Sequence, residues 1–286
     1  MIRRRLSAML LSLVGIGFLF PLVVTFTNSF MSEQAINWHY HAQLSVFDVL
    51  EGIDRRYMSF RLLPGYFSLA QYRTVLVDRP LFLVLLTNSI RITVPVVVFN
   101  FVVSLLTAYG FTCWKWKHKE LLFYAYITVM LMPLQAVLVP NFIVAEWLGI
   151  TRSHWAIIWP GIFAPFGTFL LRQSMKAIPS ECREAALIDG AGEMSVFLHI
   201  VTPQMKAGIA ALTMLVFIEY WNVVDQAVIF IRDFSLEPLS VFLSRLATGR
   251  IGLVFAASCV YMVFPLVWLW SSQENLEKGI EMSGLK

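Results

Sequence analysis

The chain has 286 residues, of which 58% are hydrophobic and only 14% are charged, and its formal net charge is +4 at pH 7. Its mean hydropathy of +0.70 leaves too little polar surface to coat a water-soluble globule. The composition therefore indicates an integral membrane protein. It excludes a disordered chain, a collagen-like repeat and a basic nucleic-acid-binding domain.

Six apolar stretches are long enough to cross a membrane, because a helix needs about 20 mostly apolar residues to span a hydrocarbon core of roughly 30 Å. Their apolar runs are continuous rather than alternating, which favours helices over a β-barrel. We therefore predict an all-α integral membrane bundle of six transmembrane helices, built as a single domain over residues 1–286. The predicted spans are approximately 6–27, 81–109, 121–145, 155–171, 209–231 and 253–270.

The lysines predict which side of the membrane each connection faces. If the amino terminus is inside, all seven lysines fall in the internal segments, which are residues 1–5, 111–120, 172–207 and 271–286. Five arginines lie in the external segment 30–80, where acidic residues offset them. We therefore expect both termini on the cytoplasmic side.

The internal connection 178–207 carries the most informative local pattern. Ser180 is suited to cap the start of a helix, and Gly190 is suited to end it because glycine tolerates the left-handed conformation. A second short helical run follows from Glu193, and Pro203 closes it. These signals predict a helix-turn-helix unit on the cytoplasmic face.

Two features of this unit predict contact with another protein. Ala185 and Ala186 have almost no side-chain bulk, so another protein's surface can approach the first helix closely. Phe197 and Ile200 would offer that partner an apolar anchor. The alternative is an ordinary amphipathic connector.

The pattern in this loop resembles that of the membrane permease subunits of bacterial ABC importers. That family has Glu-Ala-Ala, two residues, Asp-Gly-Ala, and then Phe, Ile and Pro at fixed later offsets. Thr202 and Ala207 depart from the family, which usually has Leu at the first position and often a proline at the second. The matching residues, which the resemblance implies couple the permease to its ATPase, are Glu184, Ala185, Ala186, Asp189, Gly190, Ala191, Phe197, Ile200 and Pro203.

Weaker landmarks in the spans are similar to the carbohydrate, maltose-type branch of that family. Asn88-Ser89, Met132-Pro133 and Trp221-Asn222 fall in the order found there. The resemblance implies a permease subunit of an ATP-driven importer for a carbohydrate, in particular an oligosaccharide. A permease for another solute, such as a peptide or a polyol, is the alternative, because the loop motif is shared across import systems.

The resemblance also implies partners and a location. The partners would be a second permease subunit in a heterodimer, two ABC ATPase subunits inside the cell, and an extracytoplasmic solute-binding protein. The chain would lie in the bacterial plasma (inner) membrane, in contact with lipid and not with nucleic acid. It would hold no cofactor itself, since ATP and Mg²⁺ would be bound by the partner ATPase.

No sequence pattern for catalysis is present in the chain. It has no Gly-x-x-x-x-Gly-Lys-Ser/Thr phosphate-binding loop and no nucleophile paired with a base. Cys113, Cys182 and Cys259 lie in different segments at no metal-like spacing, so we predict no disulfide framework and no metal site. The chain is therefore predicted to be a transport subunit and not an enzyme.

The translocation path is predicted to use the polar residues of the fifth span, because ionisable groups at membrane depth usually face the bundle interior or water. Helical spacing places Asn222 three residues and Asp225 six residues after Glu219, on broadly one side. Tyr220 and Trp221 could then stack on a sugar while the polar groups bind its hydroxyls. The alternative is that all five pack against the partner permease or lie near the outer boundary.

Two readings from other classes compete with an ABC permease. An ion-driven secondary transporter could use Glu219 and Asp225, although six spans are few for that class and the two halves show no inverted repeat. An integral membrane enzyme would need a catalytic constellation. ATP dependence of uptake separates the first from a permease, and activity of the isolated chain separates the second.

Overall fold

The computed structural model describes residues 2–40, 43–44, 56–57, 63–246 and 251–284. Contacts divide the chain into two compact units, Met1–Val84 with Phe242–Phe264, and Leu85–Val241 with Pro265–Lys286. Apolar runs identify spans but do not show which spans contact one another. The single domain over residues 1–286 stays a prediction.

Helices make up most of the described chain. The helices are, in order, α1 (Ile2–Asn28), α2 (Glu33–Tyr40), α3 (Ala70–Arg73), α4 (Pro80–Cys113), α5 (Lys119–Met130), α6 (Leu134–Trp147), α7 (Trp155–Ile162), α8 (Pro165–Lys176), α9 (Ser180–Ile188), α10 (Glu193–Val196), α11 (Thr202–Gln204), α12 (Lys206–Trp221), α13 (Asp225–Phe230), α14 (Leu239–Leu246) and α15 (Ile251–Gly284). Among the described residues the strands are two residues long: β1 (Gln43–Leu44) pairs with β2 (Arg56–Tyr57) in an antiparallel ladder. The predicted all-α class is therefore confirmed.

Four stretches are long and apolar enough to cross a membrane as they stand, and two more qualify if each bent helix pair counts as one span. The four are Met9–Asn28, Pro80–Cys113, Trp155–Lys176 and Ile251–Gln273. The pairs are α5 with α6, which are bent by 100°, and Glu193–Gln204 with α12, which are bent by 77°. The described helices thus provide four to six spans.

Several predicted spans differ from the structure because proline or polar residues interrupt them. The stretch 121–145 breaks between Met130 and Leu134, where Pro133 has an extended backbone and disfavours helix at the residue before it. The stretch 155–171 breaks before Pro165 and then continues to Lys176. The stretch 209–231 ends as a continuous helix at Trp221.

The first unit joins the end of α1 to the segment that leads into α3. The Ser29 hydroxyl lies 2.7 Å from the Tyr72 hydroxyl, and the ring of Phe30 stacks on that of Phe67 with centroids 4.6 Å apart. Gly252, at the start of α15, packs closely against Gln71. The predicted external segment 30–80 falls in this unit, and its residues 41–42, 45–55 and 58–62 lie outside the described residues.

In the second unit, polar side chains of α4 bind the backbone where other helices are interrupted. Asn100 is fully buried and donates hydrogen bonds to the carbonyls of Gly161 (2.9 Å) and Ile162 (3.2 Å) at the end of α7. Asn88 donates in the same way to the carbonyls of Ser235 and Glu237. Backbone groups without a partner are costly inside a membrane, so these bonds allow the helices to break there.

Glycines also allow close contacts between helices of the second unit. An added Cβ on Gly167 of α8 would overlap the Ser104 side chain and lie 2.7 Å from the Asn100 amide oxygen. A Cβ added to Gly208 of α12 would similarly lie 2.5 Å from the Ser174 hydroxyl of α8. Small residues of this kind let membrane helices approach one another closely.

We expect Gly167→Ala to destabilise the second unit by about 1–3 kcal/mol, because overpacking would displace Ser104 and Asn100 from their bonded positions. Thermal unfolding of the purified protein in detergent measures the effect. Gly17→Ala is the matched control, since nothing lies within 4 Å of a Cβ built there. Equal unfolding temperatures for the two variants would contradict this account of the packing.

Candidate functional site

The first helix of the predicted cytoplasmic unit, α9, has its cap one residue earlier in the chain than the sequence predicts. Pro179 occupies the cap position with an extended backbone (φ −58°, ψ 131°), and no side chain caps the helix. Ser180 is instead the first helical residue, so its predicted role as the cap is wrong. Proline has no backbone N–H, so at the start of a helix it leaves no donor unbonded, and it readily adopts this extended conformation. These two properties explain why the cap lies at Pro179 and not at Ser180.

The predicted stop of this helix is confirmed at Gly190, whose φ is +85°. The N–H of Ala191 donates to the carbonyl of Ala186 (3.0 Å), and the N–H of Gly190 donates to that of Leu187 (3.1 Å). These two bonds form a Schellman motif, which satisfies the last carbonyls of α9 and turns the chain sharply. A residue with a Cβ would be strained at this position.

Helix α9 belongs to the second unit and has no buried residue. Ala185, Asp189 and Gly190 are exposed, and Ala186 is half-buried. Ile188 is 85% exposed and Met194, just after the turn, is 63% exposed. Exposed apolar side chains beside small ones are typical of a surface that another protein covers. Ile188 and Met194 were not among the predicted site residues.

Phe197 does not provide the predicted anchor for another protein. Phe197 is 5% exposed, and its ring packs against Tyr109 of α4 with centroids 4.9 Å apart. Ile200 is half-buried, so its contact with a partner stays a prediction. Helical spacing does not show that the side chain of Phe197 points inward. Phe197 therefore attaches the loop to the helices of its own chain. Pro203 lies in α11, one residue before that helix ends at Gln204.

A cluster of three polar residues holds α9 in place. The Tyr109 hydroxyl donates to one carboxylate oxygen of Glu193 at 2.5 Å, and the Arg183 guanidinium donates to the other at 3.1 Å. Glu193 therefore connects α4 and α9, which are far apart in sequence. Sequence reasoning missed this cluster because nothing in the spacing of the three residues brings them together.

The second unit also contains a cavity of about 620 Å³ beside the break between α5 and α6. Its aromatic lining includes Tyr126, Trp159, Phe163 and Phe166. Its polar lining consists mainly of Asn141, Glu219 and Gln226. A smaller cavity of about 260 Å³ is lined by Glu219, Tyr220, Asn222, Asp225 and Gln226, together with Leu134 and two valines. A mostly apolar and aromatic wall with a few polar groups is typical of a small-molecule site.

Four of the five predicted path residues, Glu219, Tyr220, Asn222 and Asp225, line one cavity, but a single helix does not carry them. Helix α12 ends at Trp221, and α13 begins only at Asp225, so one continuous helix does not carry all five. The turn between the helices still places Glu219, Asn222 and Asp225 around the smaller cavity. Their role in the path stays a prediction.

Trp221 lines neither cavity. It is 1% exposed, and its ring stacks on Phe217 with centroids 5.4 Å apart; Phe217 in turn stacks on Trp268. The structure therefore places Trp221 in the helix packing and not where it could stack on a sugar. Trp159 and Phe163, which sequence reasoning did not select, present half-exposed rings to the larger cavity.

Comparisons with known proteins place the chain in a family. Residues 100–280 match the family described as "Binding-protein-dependent transport system inner membrane component". The chain is 30% identical over 196 residues to the lactose transport system permease protein LacG of Rhizobium radiobacter, which covers 68% of this chain and 72% of LacG. It is 27% identical over 273 residues to the sn-glycerol-3-phosphate transport system permease protein UgpE of Salmonella typhi, covering 92% and 90% of the two chains.

The fold is shared with a solved transporter. A bacterial ABC transporter involved in the import of the acidic polysaccharide alginate matches with a TM-score of 0.74 and 24% identity, over 96% of this chain and 95% of that one. The chain belongs to the family of binding-protein-dependent transport system inner membrane components. It is a multi-pass inner membrane permease subunit of the ABC transporter class, and the resemblance to that class is confirmed. Permeases of this family are transport subunits rather than enzymes.

We expect Glu193→Ala to loosen α9, because it removes the acceptor for both Tyr109 and Arg183. Amide hydrogen exchange of residues 180–188 should become about tenfold faster, which corresponds to ~1.4 kcal/mol. Glu184→Ala is the control, since that side chain is exposed on α9 itself. If the two variants exchange alike, Glu193 does not hold the helix in place.

Proposed function

We propose that this permease carries a carbohydrate across the membrane, after delivery by an extracytoplasmic solute-binding protein, and that ATPase subunits drive it through α9. The observation that supports this most directly is α9 itself, a helix with no buried residue that ends at the left-handed Gly190. A helix with no buried residue keeps side chains accessible for contact with a partner. The match to a binding-protein-dependent family supports delivery by a separate protein.

The missing ATPase motif and the family match support the proposed assembly. The ATPase sequence motif is missing, so ATP and Mg²⁺ would be held by two partner ATPase subunits. A second permease would complete a heterodimer around the path. The lysine-rich segments support a cytoplasmic position for α9 and both termini, where the ATPases would bind.

Coupling between α9 and the cavity has a continuous physical route in the second unit. Glu193 and Phe197 attach the loop to Tyr109 on α4. Further along the same helix, Asn100 binds the end of α7, next to the wall of the larger cavity. A displacement of α9 by the ATPases would therefore move α4 and change the cavity. This is a population shift between two states, driven by differential nucleotide binding.

The carbohydrate assignment rests on the relatives. One similar permease is named for lactose, and the structural match imports alginate, which is also a carbohydrate. The half-exposed rings of Trp159 and Phe163 could contact the apolar face of a sugar. A non-sugar solute is the second candidate, because UgpE, which covers more of the chain, is named for sn-glycerol-3-phosphate.

We expect Gly190→Val to reduce ATP-dependent uptake at least tenfold without lowering the amount of protein in the membrane. A β-branched residue is strained at a φ of +85° and would disrupt the end of α9. The test is uptake of a panel of radiolabelled oligosaccharides by the native host, after deletion of the chain's gene and complementation with each variant.

Gly192→Ser is the matched control, because this residue caps the next helix at an ordinary φ of −71° and serine favours that role. Complementation by wild type and by Gly192→Ser should restore uptake of at least one carbohydrate. Full uptake with Gly190→Val would contradict the coupling role. If deletion affects no carbohydrate in the panel, the substrate assignment is wrong.

A further inference from the structure

The walls of the two cavities described above contain acidic side chains. Glu219 lines both cavities, and Asp225 lines the smaller one. Among the described residues that line either cavity, there is no lysine, arginine or histidine. A cleft lined by one sign of charge and enclosed by low-dielectric walls focuses its potential, so it repels solutes of that sign.

Gln226 provides an independent indication that a ligand binds here. Its side chain lines both cavities and is only 9% exposed. The amide oxygen of Gln226 is buried and has no hydrogen-bond partner within the described chain. A buried acceptor without a donor is costly, and native proteins rarely retain one without a reason. A ligand that donates a hydrogen bond would satisfy it.

The hydrogen-bonding capacity of the three residues distinguishes between classes of carbohydrate. Ionised Glu219 and Asp225 accept hydrogen bonds, and the oxygen of Gln226 also accepts. Sugar hydroxyls can donate to all three. The carboxylate of a uronic acid or the phosphate of a sugar ester offers only acceptors, so beside these residues it would add electrostatic repulsion and could not donate to Gln226.

We propose that these cavities select uncharged carbohydrates and exclude uronates and sugar phosphates, with Glu219, Asp225 and Gln226 as acceptors for sugar hydroxyls. This inference rests on the proposed carbohydrate function and specifies the substrate class of that same path. The relatives do not decide the matter, because their named substrates include both neutral and anionic compounds.

The potential in the larger cavity can be measured without knowing the substrate. Val137 lines that cavity and carries no polar group, so Val137→Cys would introduce a thiol there, in a chain whose three cysteines are replaced by serine. The intact transporter complex in lipid nanodiscs is treated with positively charged, negatively charged and neutral methanethiosulfonate reagents. We expect the ratio of cation to anion reaction rates to exceed that of a free thiol in solution by about tenfold or more.

Two sets of variants test the source of the potential. Glu219→Gln with Asp225→Asn should lower the rate ratio towards that of the free thiol. Asp233→Asn is the control, because Asp233 lies outside both cavities and its bonds to Ser235 require only an acceptor oxygen, which asparagine retains. A ratio equal to that of the free thiol, or one unchanged by the double substitution, would overturn the inference; a partner subunit's cation would then neutralise the site.

Protection by sugars separates this inference from the proposed function. Neutral gluco-, galacto-, xylo- and arabino-oligosaccharides and galacturonate oligosaccharides of equal length are tested for their ability to slow the neutral reagent at Val137→Cys. We expect at least one neutral sugar to protect severalfold better than the galacturonates, and Gln226→Leu to reduce that protection. Equal protection by galacturonates would overturn the charge selection and leave the carbohydrate function standing. Protection by none of them would overturn both.

Discussion

The second unit depends on buried side chains of α4 that form hydrogen bonds to backbone groups where other helices end. Inside a membrane an interrupted helix exposes N–H and C=O groups that no water can bind, so a break persists only where protein groups replace the missing bonds. Asn100 does this for the end of α7, and Asn88 does it for the segment before α14. Ser89 adds a third bond by accepting from the N–H of Leu239. The bonds of Asn100 permit the break between α7 and α8, and Phe163 and Ala164 in that break line the larger cavity.

The same helix gives the protein its connection between loop and cavity. Tyr109, towards the end of α4, contacts both Glu193 and Phe197 of the loop, while Asn100 and Ser104 face α7 and α8 two turns earlier. One helix therefore contacts both the loop next to α9 and the end of α7, a helix that lines the larger cavity. A displacement of α9 can therefore reach the wall of the larger cavity through few contacts, which are those of Glu193, Tyr109 and Asn100.

Hydropathy and the loop pattern predicted the class and the glycine stop well, because both depend on local properties. Length and apolar content suffice to locate spans, and a left-handed turn at Gly190 follows from its position after a helical run. The same reasoning failed for Phe197 and Trp221, which are buried where contact with a partner or a sugar was expected. Spacing shows which residues share a face, but the direction of that face depends on tertiary packing. Gln226 was missed because its significance lies in an unmet hydrogen bond, which only the folded chain reveals.

The most direct test of the account is the identity of the proteins that co-purify with this chain. An amino-terminally tagged copy, expressed in its native host and extracted in mild detergent, is analysed by mass spectrometry. The account predicts recovery of an ABC ATPase and of a second, different permease subunit. Recovery of the chain alone, with uptake that does not change when ATP is depleted, would contradict it and favour an ion-driven transporter instead.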